Sequence, residues 1–485
     1  MPVLPHLSPP RPLRSSLWLT LLALPALLAA CAAPSTGPAP GALVIENVTV
    51  VDAVGGAREN QTVVVEGDRI TAVAEGGEIP SAAVVVDGTG RFLIPGLWDM
   101  HVHLTYDEAL VEAMPRLFLG YGVTSVRDTG GLLHELLPVV QTMRQEGAVA
   151  PRVFFSGPLL DGEFVVYDGN GRPEIGTANP SPEAARANVA SLAEAGVDFI
   201  KIYEMVTPEV FDALVEAGRE HGLPIAMHVP LSLQARQVAS RVNSMEHLRN
   251  VEMDCARDPE GLLAERRNVL DAHEGGDGAA LRSQLHGLQR LPAIGDYDQA
   301  GCQEVLATMT ETIQVPTLRL NAFGLHPSFE REGWMEALDR APAGVAEAWR
   351  ATTLERLAEP RSGNNTFGEW SLRLVGWMHE GGIPVGAGTD TPINFALPGF
   401  SLHEELEMLV RAGLSPRDAL GSATVRPAEF FGLEGEMGRV EPGYRADLVL
   451  LSGNPLDDIG NARLIQGVVS KGRYFPVEEL LAPGG

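Results

Sequence analysis

His101 and His103 stand in Leu97-Trp98-Asp99-Met100-His101-Val102-His103-Leu104, directly after the turn signal Ile94-Pro95-Gly96. The run is short and apolar and reads as a strand. Successive strand side chains point to opposite faces, so the two imidazoles share one face and can hold a metal ion together. An isolated H-x-H is equally well two histidines that happen to alternate, so the decision rests on whether further ligands recur at other strand ends. Lys201 lies in Asp198-Phe199-Ile200-Lys201-Ile202-Tyr203, and His228 ends Ile225-Ala226-Met227-His228. His247 lies in Ser244-Met245-Glu246-His247-Leu248, and Asp390 closes Val385-Gly386-Ala387-Gly388-Thr389-Asp390. A lone histidine is more often a satisfied core residue, and a strand-end aspartate often caps a helix. A lysine between isoleucines has no such easy account, because burying an ammonium is costly unless it is paired or modified. Six coincidences together are a poor explanation of the set.

Lysine usage adds weight. Of 36 basic residues only Lys201 and Lys471 are lysines; the rest are arginines. A lysine kept in such a chain does what a guanidinium cannot. Tyr203, two residues after Lys201, shares its face and is a candidate for substrate or oxyanion binding, with barrel packing as the plain alternative. Arg127 and Asp128 end another strand; an internal salt bridge is the simpler use of Arg127.

The elements that must position these groups alternate. Strands are expected at Trp98–Leu104, Val123–Asp128, Val153–Gly157, Val197–Tyr203, Pro224–His228, Ser244–Leu248, Gln314–Leu320 and Ile383–Thr389, with helical patterns between them. Ser181-Pro182-Glu183 and Thr207-Pro208-Glu209 open two of the helices with an N-cap and an N1 proline. Eight strands alternating with helices predict an α/β fold, a (β/α)8 TIM barrel over 94–435. The candidate ligands then fall on strands 1, 4, 5, 6 and 8 and converge on one mouth. Two insertions, 254–300 and 321–372, follow strands and so belong on that face as lids or pocket walls. Residues 42–93, with strands at Leu43–Val51, Thr62–Glu66, Ile70–Ala74 and Ala83–Asp87, are expected to join 436–480 in one small β-sandwich.

Composition bounds the function. A formal charge of −27 argues against nucleic acid and anionic membrane surfaces as partners. Residues 1–30 read as a signal peptide: Arg11 and Arg14 precede an apolar run from Leu17 to Ala30. Leu28-Ala29-Ala30-Cys31 resembles the lipobox of bacterial lipoproteins, which implies cleavage before Cys31 and lipid attachment to it; the alternative is an ordinary cleaved signal with an incidental cysteine. By the same resemblance Ala32 favours the outer membrane, so the expected place is the periplasmic side of the cell envelope. Residues 31–41 read as a tether. Removing 1–30 takes two arginines and no acids, leaving a charge of 34 − 63 = −29. Cys255 and Cys302 remain, and an oxidising compartment favours a disulfide between them.

The strand-end set resembles the binuclear amidohydrolase superfamily, in its imidazolonepropionase-like and prolidase-like branch. Gly438-Arg439-Val440-Glu441-Pro442-Gly443-Tyr444-Arg445-Ala446-Asp447-Leu448 and Asn454-Pro455-Leu456 are similar to that family's tail. The resemblance covers roughly residues 42–480. It implies that His101, His103 and Asp390 bind one divalent ion and His228 and His247 a second. It further implies that carbon dioxide carbamylates Lys201, whose N6-carboxylate bridges both ions. An amine forms a carbamate, whereas a guanidinium stays charged. The implied reaction is hydrolysis of an amide or peptide bond, in a dipeptide or N-acyl amino acid, by a metal-bridging hydroxide. Asp390 would take and return the proton. Zinc is the first expectation from ligand type, with manganese, iron or cobalt compatible. In the resembling dipeptidases a histidine in the loop after strand 2 helps polarise the carbonyl, which points to His134. Those enzymes also carry a tyrosine two residues after the strand-5 histidine, against the substrate carboxylate; Pro230 stands there here. A lactonase or other ester hydrolase on the same metals, and a catalytically idle binding lipoprotein, remain as alternatives. A homo-oligomer is left open.

Overall fold

Runs of valine and isoleucine bounded by glycine turns form the strands at both ends of the chain. The computed structural model describes residues 41–76, 84–358 and 363–482. The expected signal peptide, Cys31 and the tether as far as residue 40 lie outside these residues. The N-terminal strands are β1 (Leu43–Asp52), β2 (Gly56–Glu66), β3 (Arg69–Glu75), β4 (Val84–Asp87) and β5 (Phe92–Pro95). The central strands are β6 (Leu97–Val102), β7 (Val123–Asp128), β8 (Arg152–Phe155), β9 (Leu159–Asp161), β10 (Gly176–Ala178), β11 (Ile200–Ile202), β12 (Ile225–Met227), β13 (Ser244–Glu246) and β14 (Ile313–Val315). The C-terminal strands are β15 (Leu448–Leu451), β16 (Ile465–Ser470) and β17 (Arg473–Pro476).

The two ends share one eight-stranded sheet, ordered β17-β16-β15-β5-β1-β2-β3, with β4 also paired to β1. Its junction is the antiparallel β5–β15 ladder, Leu448 opposite Pro95 through Leu451 opposite Phe92. Ile45, Val48, Val63, Ile70, Leu448 and Leu450 form a separate core on this sheet. After Gly96 the chain passes from β5 into β6, so the sheet sets the entry angle of the strand that carries His101.

From β6 to β14 the strands pair in parallel, and all but β8 and β10 are buried throughout, as parallel strands under helices are. The caps foreseen at Ser181 and Thr207 form: Ser181 Oγ accepts from Ala184 N at 3.3 Å, and Thr207 Oγ1 from Val210 N at 3.3 Å. They open helices Pro182–Ala195 and Pro208–Glu220. The fold is a TIM barrel, and its ring closes through backbone bonds. Asp198 N donates to Phe155 O, joining the strand-3 and strand-4 segments at 2.9 Å. On the far side, Gly386 N donates to Gln314 O (2.8 Å) and Met100 N to Ala387 O (2.9 Å).

The eighth run, expected as a strand over Ile383–Thr389, is irregular and makes only isolated bridges, Gln314 with Val385 and Val102 with Thr391. Close approach is the reason. A Cβ on Gly386 would fall 2.4 Å from Met100 Sδ, and one on Gly388 2.8 Å from His101 Cβ. The expected strand Gln314–Leu320 also stops early, because Pro316 and the left-handed Thr317 (φ 46°) turn the chain after Val315.

The segment 254–300 is helical, with Pro259–Asp271 and Gly278–Gly295, and a disulfide joins Cys255 to Cys302 across a sequence separation of 47. Closing a loop of that size stabilises by about 4 kcal/mol on the chain-entropy account. The segment 321–372 carries Trp334–Leu338, Ala343–Ala358 and the start of Thr366–Glu380. One excursion was not foreseen: β9 and β10 flank a loop over 162–175 that brings Tyr167 and Ile175 to the barrel mouth.

Candidate metal centre

Strand ends place every candidate ligand. Pleat alternation puts His101 and His103 on the inner face of β6 and its extension, and Lys201 is central in β11. His228 follows β12 directly. His247 follows β13 with φ 59°, and Asp390 follows the eighth run with φ 63°; these left-handed backbones aim each side chain inward where regular strand would not. All six are buried. Together with Tyr203 they line one cavity of about 320 Å³.

The distances are those of a ligand set. His101 Nε2 lies 3.2 Å and His103 Nε2 3.3 Å from Asp390 Oδ1. Ligand atoms of these three residues all fall within 4.8 Å of one another. The His101 and His247 rings are 4.4 Å apart and those of His228 and His247 4.7 Å.

Each imidazole is held from behind. Nδ1 of His101 reaches Glu246 Oε2 at 2.7 Å and Nδ1 of His103 reaches Gly130 O at 2.9 Å. Nδ1 of His228 reaches Glu204 Oε1 at 2.8 Å, and Nδ1 of His247 reaches Thr317 Oγ1 at 2.6 Å. Thr317 Oγ1 donates onward to Pro316 O, so it accepts from His247. With Nδ1 as the donor in every ring, each Nε2 carries a lone pair. Nε2 of His101 and of His103 then face a carboxylate oxygen acceptor to acceptor, an arrangement that a cation between them reconciles.

Electrostatics keeps the groups in ligand form. Burial, with Lys201 beside His228 and His101 beside His247, holds both imidazoles well below their usual range and so neutral. Burial would raise the Asp390 carboxyl, but His247, His101 and His103 outweigh it and hold the group ionised. Lys201 is 1% exposed, and its Nζ has no hydrogen-bond partner among the described residues. Burial pushes its ammonium down to about 7 against the pull of Glu246. A divalent cation fits this donor set: four imidazoles held through Nδ1, one carboxylate and a buried amine without a partner among the described residues.

Glu246 was not foreseen, and it ties two calls of the sequence together. Arg127 makes the internal salt bridge, Nη2 to Glu246 Oε1 at 2.8 Å, while Glu246 Oε2 orients His101. Glu204 plays the same part for His228. Both glutamates adjoin residues already singled out, yet strand alternation assigns them to the opposite face from their neighbours. Only the irregular backbone after β13 brings Glu246 and His247 to one centre.

Tyr203 lies in the cavity wall with its ring 4.5 Å from that of His228. His134 does not reach the cavity. It sits in the first turn of helix Leu133–Arg144, its side chain 75% exposed and 3.9 Å from Glu135. Helix geometry turns it to solvent, and the part of that loop that touches the centre is the Gly130 carbonyl. Pro230 is buried in the loop after β12, with its carbonyl accepting from Leu233 N. It is not among the cavity-lining residues. Arg249, Arg282 and Arg290 do line the cavity and were not anticipated.

Comparison with known proteins agrees with this geometry. Residues 317–474 match the model of the Amidohydrolase family. Ochratoxinase of Aspergillus niger is 23% identical over 393 residues, spanning 76% of this chain and 71% of the relative. An imidazolonepropionase of Vibrio cholerae is 22% identical over 444 residues, covering 81% and 87%. The crystal structure of a putative prolidase from Bifidobacterium longum superposes with a TM-score of 0.62 at 26% identity, covering 92% of this chain and 99% of that one.

Proposed function

We propose that the chain is an enzyme of the amidohydrolase family acting on carbon–nitrogen bonds, and that it hydrolyses an amide or peptide bond in a dipeptide or N-acyl amino acid. One observation carries the proposal. Four histidines anchored through Nδ1 turn their Nε2 atoms into one buried cavity that also holds Lys201 Nζ and the Asp390 carboxylate.

In this reading His101, His103 and Asp390 would hold one divalent ion and His228 and His247 a second, and Lys201, carboxylated on Nζ, would supply an anionic oxygen ligand. Zinc is the metal favoured by the ligand types. Bound there, the ions would lower the pKa of a shared water and polarise the substrate carbonyl. The chain's own residues do the rest. Asp390 accepts a proton from the attacking water and delivers it to the leaving nitrogen, so the amine departs neutral. Burial keeps the Tyr203 phenol protonated, able to donate to the substrate oxygen as negative charge develops. Glu246 and Glu204 hold the imidazoles in one tautomer throughout.

Elemental analysis of the purified protein should find about two divalent ions per chain, and a panel of dipeptides and N-acyl amino acids should show cleavage. Fewer than about one tightly held ion per chain would sink the two-metal reading. Turnover of lactones in place of amides would move the activity to ester bonds.

We also propose that the protein is lipid-anchored at Cys31 on the periplasmic side of a bacterial envelope. Cys31→Ser should move it from the membrane to the soluble fraction; unchanged fractionation would refute lipidation.

A further inference from the structure

One wall of the cavity is cationic in a protein whose formal charge is −27. Arg282, His286 and Arg290 recur every four residues along helix Gly278–Gly295 and so share one of its faces. That helix belongs to the insertion between barrel strands, and through Glu204 it also braces His228. Arg249 joins the wall from the segment after β13.

The partners of these groups show which one is spare. Arg282 Nη2 donates to Glu204 Oε1 at 2.8 Å. His286 Nε2 lies 2.9 Å from Glu204 Oε2, out of hydrogen-bond alignment. Arg290 Nε donates to Glu252 Oε1 at 3.0 Å, and its guanidinium stacks over Phe367 at 4.4 Å. Glu204 and Glu252 are thus committed to Arg282 and Arg290. Arg249 is left over: its Nε is buried without a hydrogen-bond partner, and among the described residues it makes no salt bridge. A half-buried guanidinium in the cavity wall, beside two others, calls for an anion to meet it there. Leu159, Ile175 and Phe367 give the lining an apolar part, beside Tyr167 and Asn321.

We propose that Arg249, flanked by Arg282 and Arg290, is the anchor for a carboxylate on the substrate, which selects free-acid dipeptides or N-acyl amino acids over their neutral counterparts. The guanidinium fork matches the two oxygens of a carboxylate, and the apolar lining takes the adjoining side chain or acyl group. This rests on the hydrolase reading above and narrows it to acids.

Two measurements on the metal-loaded full chain test it separately from that reading. The first is calorimetric binding of N-acetyl-L-phenylalanine and of N-acetyl-L-phenylalanine amide, which needs no turnover. The acid should bind roughly 10- to 100-fold more tightly, the range for a charged hydrogen bond lost. Equal affinities, undetectable binding of both included, overturn the proposal. The second is the ratio of kcat/KM for dipeptides over their C-terminal amides. Arg249→Met should lower that ratio by the same roughly 10- to 100-fold, through KM more than kcat. An unchanged ratio overturns it. Cleavage of acids and amides alike leaves the hydrolase standing and removes the anchor. Tight binding of the acid without cleavage of any carbon–nitrogen bond in the panel keeps the anchor and removes the dipeptide reading.

Discussion

Replacing Lys201 by arginine is expected to abolish turnover, by about three orders of magnitude or more, because in the proposed centre both metal positions would depend on the group it supplies. The amine is poised for it. Burial brings the Lys201 ammonium down to about 7, so a substantial neutral fraction exists at physiological pH. Its nitrogen lone pair can attack the carbon of carbon dioxide and, with loss of one proton, leave a carbamate anion. A guanidinium remains cationic and would set a positive charge against two divalent ions. Arginine also overfills the space left for lysine, so Lys201→Ala separates chemistry from packing. Short carboxylic acids such as acetate or propionate should restore part of its activity by standing in for the carbamate oxygens. Full activity in Lys201→Arg, or no rescue of a folded, metal-bearing Lys201→Ala, would show that the lysine only packs.

The second large effect is at Asp390. Asp390→Asn keeps the shape of the side chain and removes its capacity to accept a proton. Loss of a general base lowers kcat by about 10²- to 10⁴-fold. Three neighbouring histidines hold the native carboxyl well below its usual range, so it is in base form across the working pH range. The acidic limb of the native kcat/KM profile should therefore lie well below neutrality. The variant should lose rate across the whole profile, with KM much less affected than kcat. A variant that retained metal and full kcat would remove Asp390 from the proton path.

The six groups were legible in the sequence because they lie on or just past barrel strands, and Lys201 to His228 and His228 to His247 are each spaced by one strand-plus-helix unit. Their supports were harder to see for a physical reason. Glu246 and His247 are sequence neighbours that alternation assigns to opposite faces, and only the positive φ of His247 brings both to one centre. The eighth strand reads as regular in sequence, yet Gly386 and Gly388 let the chain approach Met100 and His101 too closely for a regular ladder. His134 shows the reverse failure: a loop position suggested a catalytic role, and the helix starting at Leu133 sends the side chain to solvent. Arg249 lay past a strand end with no periodicity to aim it, and the four-residue recurrence of Arg282, His286 and Arg290 marks a helix face without saying which way that face turns.

The bond between Cys255 and Cys302 makes the first insertion a closed ring of chain. Arg282 and Arg290 lie inside that ring, whereas every candidate metal ligand lies outside it. The ring is tied to the barrel at more than its two ends: Arg282 reaches Glu204, which orients His228, and Arg290 reaches Glu252. A change of sequence inside the ring therefore reaches the support of a metal ligand as well as the pocket wall, while Arg249 stays outside it.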